Sequence, residues 1–254
     1  MPFTLSHAVL ASPLSKLSRG HLPVAALAIG CMTPDLYRLF TEETIELTHQ
    51  WSGLLFPNLL IGLLFCLLWY LLYRPVIYRF VGIFDPLNLK SFNDFISFSL
   101  MSCLAIMLGT ATHLIWDGLT HLDFRTFAFK DFLAQDIALL GFHYPLHFIL
   151  QIMSSIVTLP FLWLMCRSYY RTYRHPSSVS KTMQIIAVMS CVISVVAGVI
   201  AVWHYSHSIS AELWHSERYF FIGKSINEFT QTGLCVFTAS CRLLLLFNWK
   251  TFHP

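Results

Sequence analysis

The chain has 254 residues, 56% of them hydrophobic and 11% charged, with 16 Lys and Arg against 13 Asp and Glu for a net charge of +3. Mean hydropathy is +0.63. Soluble domains carry roughly 25% charged residues, and a soluble domain of this length has too little interior to hide so much apolar surface, so that class is excluded.

The opening Met1–Leu14 stretch has no basic n-region and no small-residue cleavage site, so no removable signal peptide is expected. Two apolar runs, 5–14 and 22–32, are separated by Ser15–Gly20 with Lys16 and Arg19. Both are short of the roughly 20 residues a spanning helix needs. They predict a helical hairpin that lies in the interface or packs against a bundle. Five later windows are long enough to span: 53–73, 97–117, 146–166, 184–204 and 229–247. The stretches between them hold nearly all the charge. The fold class is therefore all-α, a polytopic helical membrane protein with about five transmembrane helices and an N-terminal helical hairpin. The basic loop 167–183 divides residues 1–166, the hairpin and three spans carrying the candidate metal site, from two further spans in 184–247. The whole is one integral membrane unit.

Five spans sort the loops into two sides. One holds 74–96, 167–183 and the C-terminus, with Arg74, Arg79, Lys90, Arg167, Arg171, Arg174, Lys181, Lys250 and a snorkelling Arg242, against only Asp85 and Asp94. The other carries the remaining seven basic residues and eleven acidic ones, counting Asp117 at its edge. The Lys/Arg bias, firmest in Arg167, Arg171, Arg174 and Lys181, places the first side in the cytoplasm. That cluster sits beside Tyr169, Tyr170 and Tyr173, as expected of a juxtamembrane patch facing anionic lipid, so membrane lipid is the expected partner and nucleic acid is not. The seven cysteines show no CxxC or zinc-ribbon spacing, and those in apolar runs act as small hydrophobes.

Of the twelve histidines, only His175 and His253 fall on the cytoplasmic side. The sharpest local pattern is His113-Leu-Ile-Trp-Asp117-Gly-Leu-Thr-His121 at the end of the second span. Residues at i, i+4 and i+8 share a helix face, each about 6 Å further along the axis. The pattern suits one ion held by His113 and Asp117 or two bridged by Asp117, unless Gly118 ends the helix and folds His121 back. The bland alternative is a helix end capped at the water interface. His7 opens the hairpin and Asp35 closes it after Pro34. His49 precedes the first span, and His147 stands one turn before Gln151 at the start of the third. Together these supply N and O donors of the kind zinc and other divalent ions take. No cysteine joins them, which argues against a structural thiolate site.

The segments Met1-Pro2-Phe3-Thr4-Leu5-Ser6-His7, Ala28-Ile29-Gly30-Cys31-Met32-Thr33-Pro34-Asp35, Gly109–His121 and Leu150–Ser155 resemble a bacterial membrane family, domain-of-unknown-function family 4184. The resemblance implies a place in the bacterial inner membrane and no settled activity. A more distant likeness, in ordered spacing, is to membrane-bound metal-dependent hydrolases and zinc-dependent phospholipase C. It runs His7, Asp35, His49, His113 and Asp117, with His121 next. A closing His-x3-Glu pair would fall on His147 and Gln151, where an amide replaces the acid. No mature amino-terminal Trp is evident either.

The leading expectation is a divalent-metal-dependent hydrolase, with zinc or manganese as cofactor, acting on a phosphoester or lipid-linked ester at the outer membrane face. His7, Asp35, His49, His113 and Asp117 are the first candidate ligands, followed by His121 and His147. Asp35 is also the candidate to orient or deprotonate the attacking water. The alternative is a metal-ion or proton binding or transport protein without hydrolytic activity. Haem held by histidine pairs is a third reading, less suited to the interleaved Asp35 and Asp117.

Overall fold

The computed structural model describes residues 4–41, 46–139, 141–175, 179–216 and 218–247, so that Lys250 and His253 lie outside the described residues. A 3-10 segment, Thr4–Leu10, leads into α1 (Ala11–Leu17) and α2 (Val24–Leu36). There follow α3 (Trp51–Val81), α4 (Phe92–Thr120), α5 (Lys130–Leu133), α6 (Leu146–Tyr173), α7 (Lys181–His207), α8 (Ala211–Ser216) and α9 (Arg218–Phe247). Five of these, α3, α4, α6, α7 and residues Phe220–Phe247 of α9, are long and apolar enough to cross a membrane. The chain is thus an all-α polytopic membrane protein. Its spans run beyond the apolar windows because polar ends are capped: Ser91 accepts from the Asp94 N–H at 3.1 Å, and Asp94 accepts from the Ser91 N–H at 2.9 Å, starting α4 five residues before its window. Among the described residues, sheet is confined to an antiparallel ribbon of β1 (Asp136–Leu139) and β2 (Phe142–Pro145) before α6, pairing Ile137 with Tyr144.

Apolar side chains facing outward recur at helical spacing. Leu60, Leu64, Leu67 and Leu71 form an exposed stripe on α3, and Val188, Val192, Val195 and Val199 another on α7. Water would not tolerate such stripes, whereas lipid tails do.

The chain packs as two compact units. The first comprises Met1–Tyr37, Glu43–Cys66 and Leu87–Tyr169, and the second Arg38–Glu42, Leu67–Pro86 and Tyr170–Pro254. In the second, Ser190, Ser194 and Gly198 make a stripe of small residues along α7, where a Cβ on Gly198 would lie 2.7 Å from the Phe229 ring of α9. Tyr73 donates to or accepts from Thr238 Oγ1 at 2.6 Å beside a buried cluster of Tyr73, Val76 and Cys241.

In the first unit the N-terminal hairpin is packed in, not laid on a surface. Arg19 and Gly20 take positive φ, 55° and 81°, and the Gly20 N–H donates to the Ser15 carbonyl at 2.8 Å to reverse the chain. α2, with 13 residues, is about 20 Å long, too short to span. Ala26, Leu27, Cys31 and Thr33 on it have no exposed surface. Two glycines allow α2 to lie directly on α4. A Cβ on Gly30 would sit 2.4 Å from the Ile106 carbonyl oxygen, and one on Gly109 would sit 2.5 Å from that of Leu27. Thr110 Oγ1 donates across the contact to the Gly30 carbonyl at 3.2 Å.

Gly109→Ala forces these backbones apart. The expected cost is about 1–3 kcal/mol of overpacking, read as a lower thermal midpoint in detergent, whereas Gly223→Ala, with nothing near its Cβ position, leaves the midpoint unchanged.

Candidate metal centre

The glycine contact sets two stripes face to face. On α4, Gly109, His113 and Asp117 follow one another at single-turn spacing; on α2, Leu27, Cys31 and Asp35 do the same. Their last members are buried, with His113 0%, Asp117 1% and Asp35 6% exposed. His113 Nδ1 lies 2.8 Å from the Cys31 carbonyl oxygen, which can only accept, so Nδ1 carries a proton and Nε2 is the nitrogen that a neutral ring would offer to an ion. That Nε2 is buried with no hydrogen-bond partner, 3.5 Å from Asp117 Oδ2.

Two further segments close over this pair. His7, in the 3-10 segment, stacks on His113 with ring centres 4.0 Å apart and brings Nε2 to 3.8 Å from Asp117 Oδ1. Ser6 fastens the same segment by donating to the Ser155 carbonyl on α6 at 3.1 Å. His49 places Nε2 3.2 Å from Asp35 Oδ1 and 3.8 Å from Asp117 Oδ2. Its position depends on how α3 begins. Phe56 is extended, φ −140° and ψ 119°, as the residue before Pro57 prefers, and this breaks the helix. The break lets the fully buried Asn58 donate back to the Thr48 carbonyl at 2.8 Å, next to His49. Thr4 Oγ1 donates to Asp35 Oδ2 at 2.8 Å and fixes that carboxylate.

His121 reaches the cluster by a different route. The helix runs through Gly118 to Thr120, and His121 then turns extended, folding its ring back so that Nδ1 lies 3.6 Å from Asp117 Oδ1. Gly118 is needed instead for Phe127, whose ring would be 2.1 Å from a Cβ there. His147 stands apart, with Nδ1 3.3 Å from the Leu133 carbonyl, and Gln151 donates to the Thr120 carbonyl at 3.0 Å, holding the last turn of α4. His204 and His207 are exposed against Trp203.

Arg125 is the residue that spacing did not single out. Its Nη1 donates to Asp117 Oδ2 at 3.0 Å, while Nε donates to both oxygens of Asp123, at 2.9 and 3.1 Å, and Nη2 donates to Asp123 Oδ2. The only sequence signal was an Asp-x-Arg three residues beyond the end of a span.

Burial sets the charge state of the peripheral imidazoles. It pushes His7 down to about 3, helped by the neighbouring His113, and His121 down to about 4, and it lowers His49 as well. These rings are therefore neutral near pH 7 and keep their lone pairs. Burial opposes the Asp123 and Arg125 charges, but their mutual hydrogen bonds win, lowering Asp123 and raising Arg125.

Among the described residues, two groups have ligand atoms within 4.8 Å of one another: His7, Asp35 and His113, and His49, His113 and Asp117. Both draw on His113, which has one free nitrogen, so they cannot each hold an ion through it. The carboxylates of Asp35 and Asp117 together carry the charge that balances one divalent cation. Buried atoms without partners at His7 Nδ1, His113 Nε2, Asp117 Oδ1 and His121 Nε2 fit such an ion, because burying unpaired polar atoms is otherwise costly. The Cys31 thiol pairs with Thr112 Oγ1 at 3.4 Å.

The family model described as Domain of unknown function (DUF4184) matches residues 1–246. No match is found among the curated proteins or among the solved structures.

Asn58→Leu removes the donor that holds the Thr48 carbonyl beside His49. The expected loss is about 1–3 kcal/mol, seen as a lower thermal midpoint in detergent, with Asn58→Asp failing to restore it because a carboxylate cannot donate.

Proposed function

We propose, for a chain that belongs to the DUF4184 family, a divalent-metal-dependent hydrolase that works on a phosphoester or other lipid-linked ester where the spans meet the membrane surface. The observation that supports it most is the convergence of His7, Asp35, His49, His113 and Asp117, from four separate segments, around buried atoms that have no hydrogen-bond partner. Zinc is the proposed ion and manganese the next, since imidazole nitrogen with carboxylate oxygen suits both.

When bound, the ion supplies Lewis acidity, which lowers the pKa of a nearby water and offsets charge on an ester oxygen. The chain's own groups supply the rest. The Cys31 carbonyl holds the His113 ring, and four imidazoles and Arg125 surround Asp117. Asp35, gripped by Thr4 and His49, is the proposed base that orients and deprotonates water. The proposed setting is the bacterial inner membrane with the site on the extracytoplasmic side, a reading supported by the Lys/Arg bias, and lipid is the proposed partner.

The burial of all five donors, none more than 8% exposed, favours a second reading, a metal-ion or proton binding and transport protein without hydrolysis.

Purified protein in detergent is expected to carry about one zinc or manganese per chain by elemental mass spectrometry. His113→Ala and Asp117→Ala should weaken retention by more than the about 10–100-fold typical of lost supporting groups around a metal. Wild-type protein that folds normally and holds no metal sinks both metal readings. Retained metal, with zinc uptake into proteoliposomes and no hydrolysis of phospholipid or soluble phosphoester, selects the second.

A further inference from the structure

We propose that Arg125 is the anion-recognition residue of this site, restricting its ligand to a phosphate-bearing group; the inference rests on the metal-dependent hydrolase reading and narrows it. Arg125 sits within a tight turn that is itself built from hydrogen bonds. Thr126 Oγ1 donates to the His121 carbonyl at 2.6 Å and accepts from the Asp123 N–H at 3.0 Å, while Phe127 packs its ring on Gly118. The turn therefore starts at His121, in contact with Asp117, and delivers the guanidinium back to that same carboxylate.

The guanidinium is held from outside by Asp123 and points inward at Asp117. Asp123 leaves 37% of its side chain exposed, Arg125 11% and Asp117 1%, so the three run from solvent to the buried centre in that order. Of five guanidinium N–H groups, those bonds use one on Nε, one on Nη1 and one on Nη2. One N–H on each terminal nitrogen is left over by those bonds, and guanidinium N–H groups are strong donors to phosphate oxygens.

Asp117 cannot serve a divalent ion and Arg125 without bringing two cations to one carboxylate. Asp123 keeps Arg125 at the site even when Asp117 turns its charge to the ion, so the guanidinium has no other place to go. An anion with several oxygens relieves this by touching both cations, and a tetrahedral phosphate does so with separate oxygens. A neutral carboxylic ester offers no charge to either. The shared chemistry is the phosphate group, whether borne by a lipid headgroup or by a soluble phosphoester.

The test uses full-length protein in nanodiscs of neutral lipid, loaded with zinc, with metal content and inorganic phosphate binding measured by elemental mass spectrometry and calorimetry. Wild type is expected to bind phosphate. Arg125→Gln should keep its zinc and bind phosphate at least about tenfold more weakly, and Arg125→Lys should fall between, keeping the charge and losing the fork. Displacement of phosphate by soluble glycerol 3-phosphate, or by phosphatidic acid placed in the nanodisc, distinguishes the two sources, and either supports the inference. Displacement by neither overturns it. So does an Arg125→Gln protein that holds zinc and binds phosphate as wild type does, or one that loses zinc together with phosphate, which would make Arg125 a support for Asp117 only. Wild type without zinc overturns the hydrolase reading itself, whereas zinc without phosphate binding overturns only the role of Arg125.

Discussion

The carboxylate of Asp117 is 1% exposed and carries its charge at the end of a spanning helix, where water can do little for it. A buried ionised carboxylate persists only with compensation from its surroundings. Here the direct compensation is the Arg125 guanidinium, which donates to Asp117 Oδ2 at 3.0 Å, while the rings of His7, His49, His113 and His121 stand around the carboxylate at 3.5–3.8 Å. Three short segments of the first unit bring side chains to this carboxylate or to its neighbours. The 3-10 segment brings His7, the break at Phe56 and Pro57 allows His49 to be pinned, and the turn after α4 returns Arg125.

That convergence depends in turn on how closely α2 and α4 approach. Two helices with ordinary side chains between them pack at about 8–10 Å. With Gly30 and Gly109 at the crossing, backbone meets backbone, and the Cys31 carbonyl comes within 2.8 Å of the His113 ring. A larger residue at either position would leave His113 without the acceptor that fixes its proton on Nδ1. Packing and chemistry are thus coupled through one stripe, Gly109, His113 and Asp117, in which the first residue sets the distance and the other two use it.

The spans were legible because lipid selects apolar runs of a set length, and five such runs stand out in the sequence. Their ends were less so, since the capping Ser91 and Asp94 pair extends α4 through residues that read as a charged loop. His7, Asp35, His49, His113 and Asp117 were legible as a set from residue type, placement at one end of the spans and ordered spacing. The structure brings these five together, with His121 beside Asp117 and His147 apart from them. Arg125 was not legible, because one arginine near an aspartate in a polar loop is ordinary, and only the return of the turn shows where its side chain goes. The ribbon of β1 and β2 was hidden too, as its strands have four residues each and no alternation long enough to read. The apolar runs of the hairpin fit either the interface or the bundle, and the paired glycines decide between them, a signal that needs both helices in view.

The donors at the candidate centre come from four segments that are far apart in the chain: residue 7, residues 35 and 49, and the 113–117 turn. None of the short segments would hold its place by its own helix, since isolated helices of fewer than about 12 residues are marginal. A cation bound by these donors would therefore link the N-terminal segment, the hairpin and the start of α3 to α4, and its binding free energy would add to the stability of the unit. The same reasoning bears on access. The glycine-backed side of the site, where α2 meets α4, is too tightly packed to open without disturbing the helices. The 3-10 segment is tied down by side-chain hydrogen bonds from Thr4 and Ser6, and the loop carrying Arg125 by those of Thr126 and of Arg125 itself.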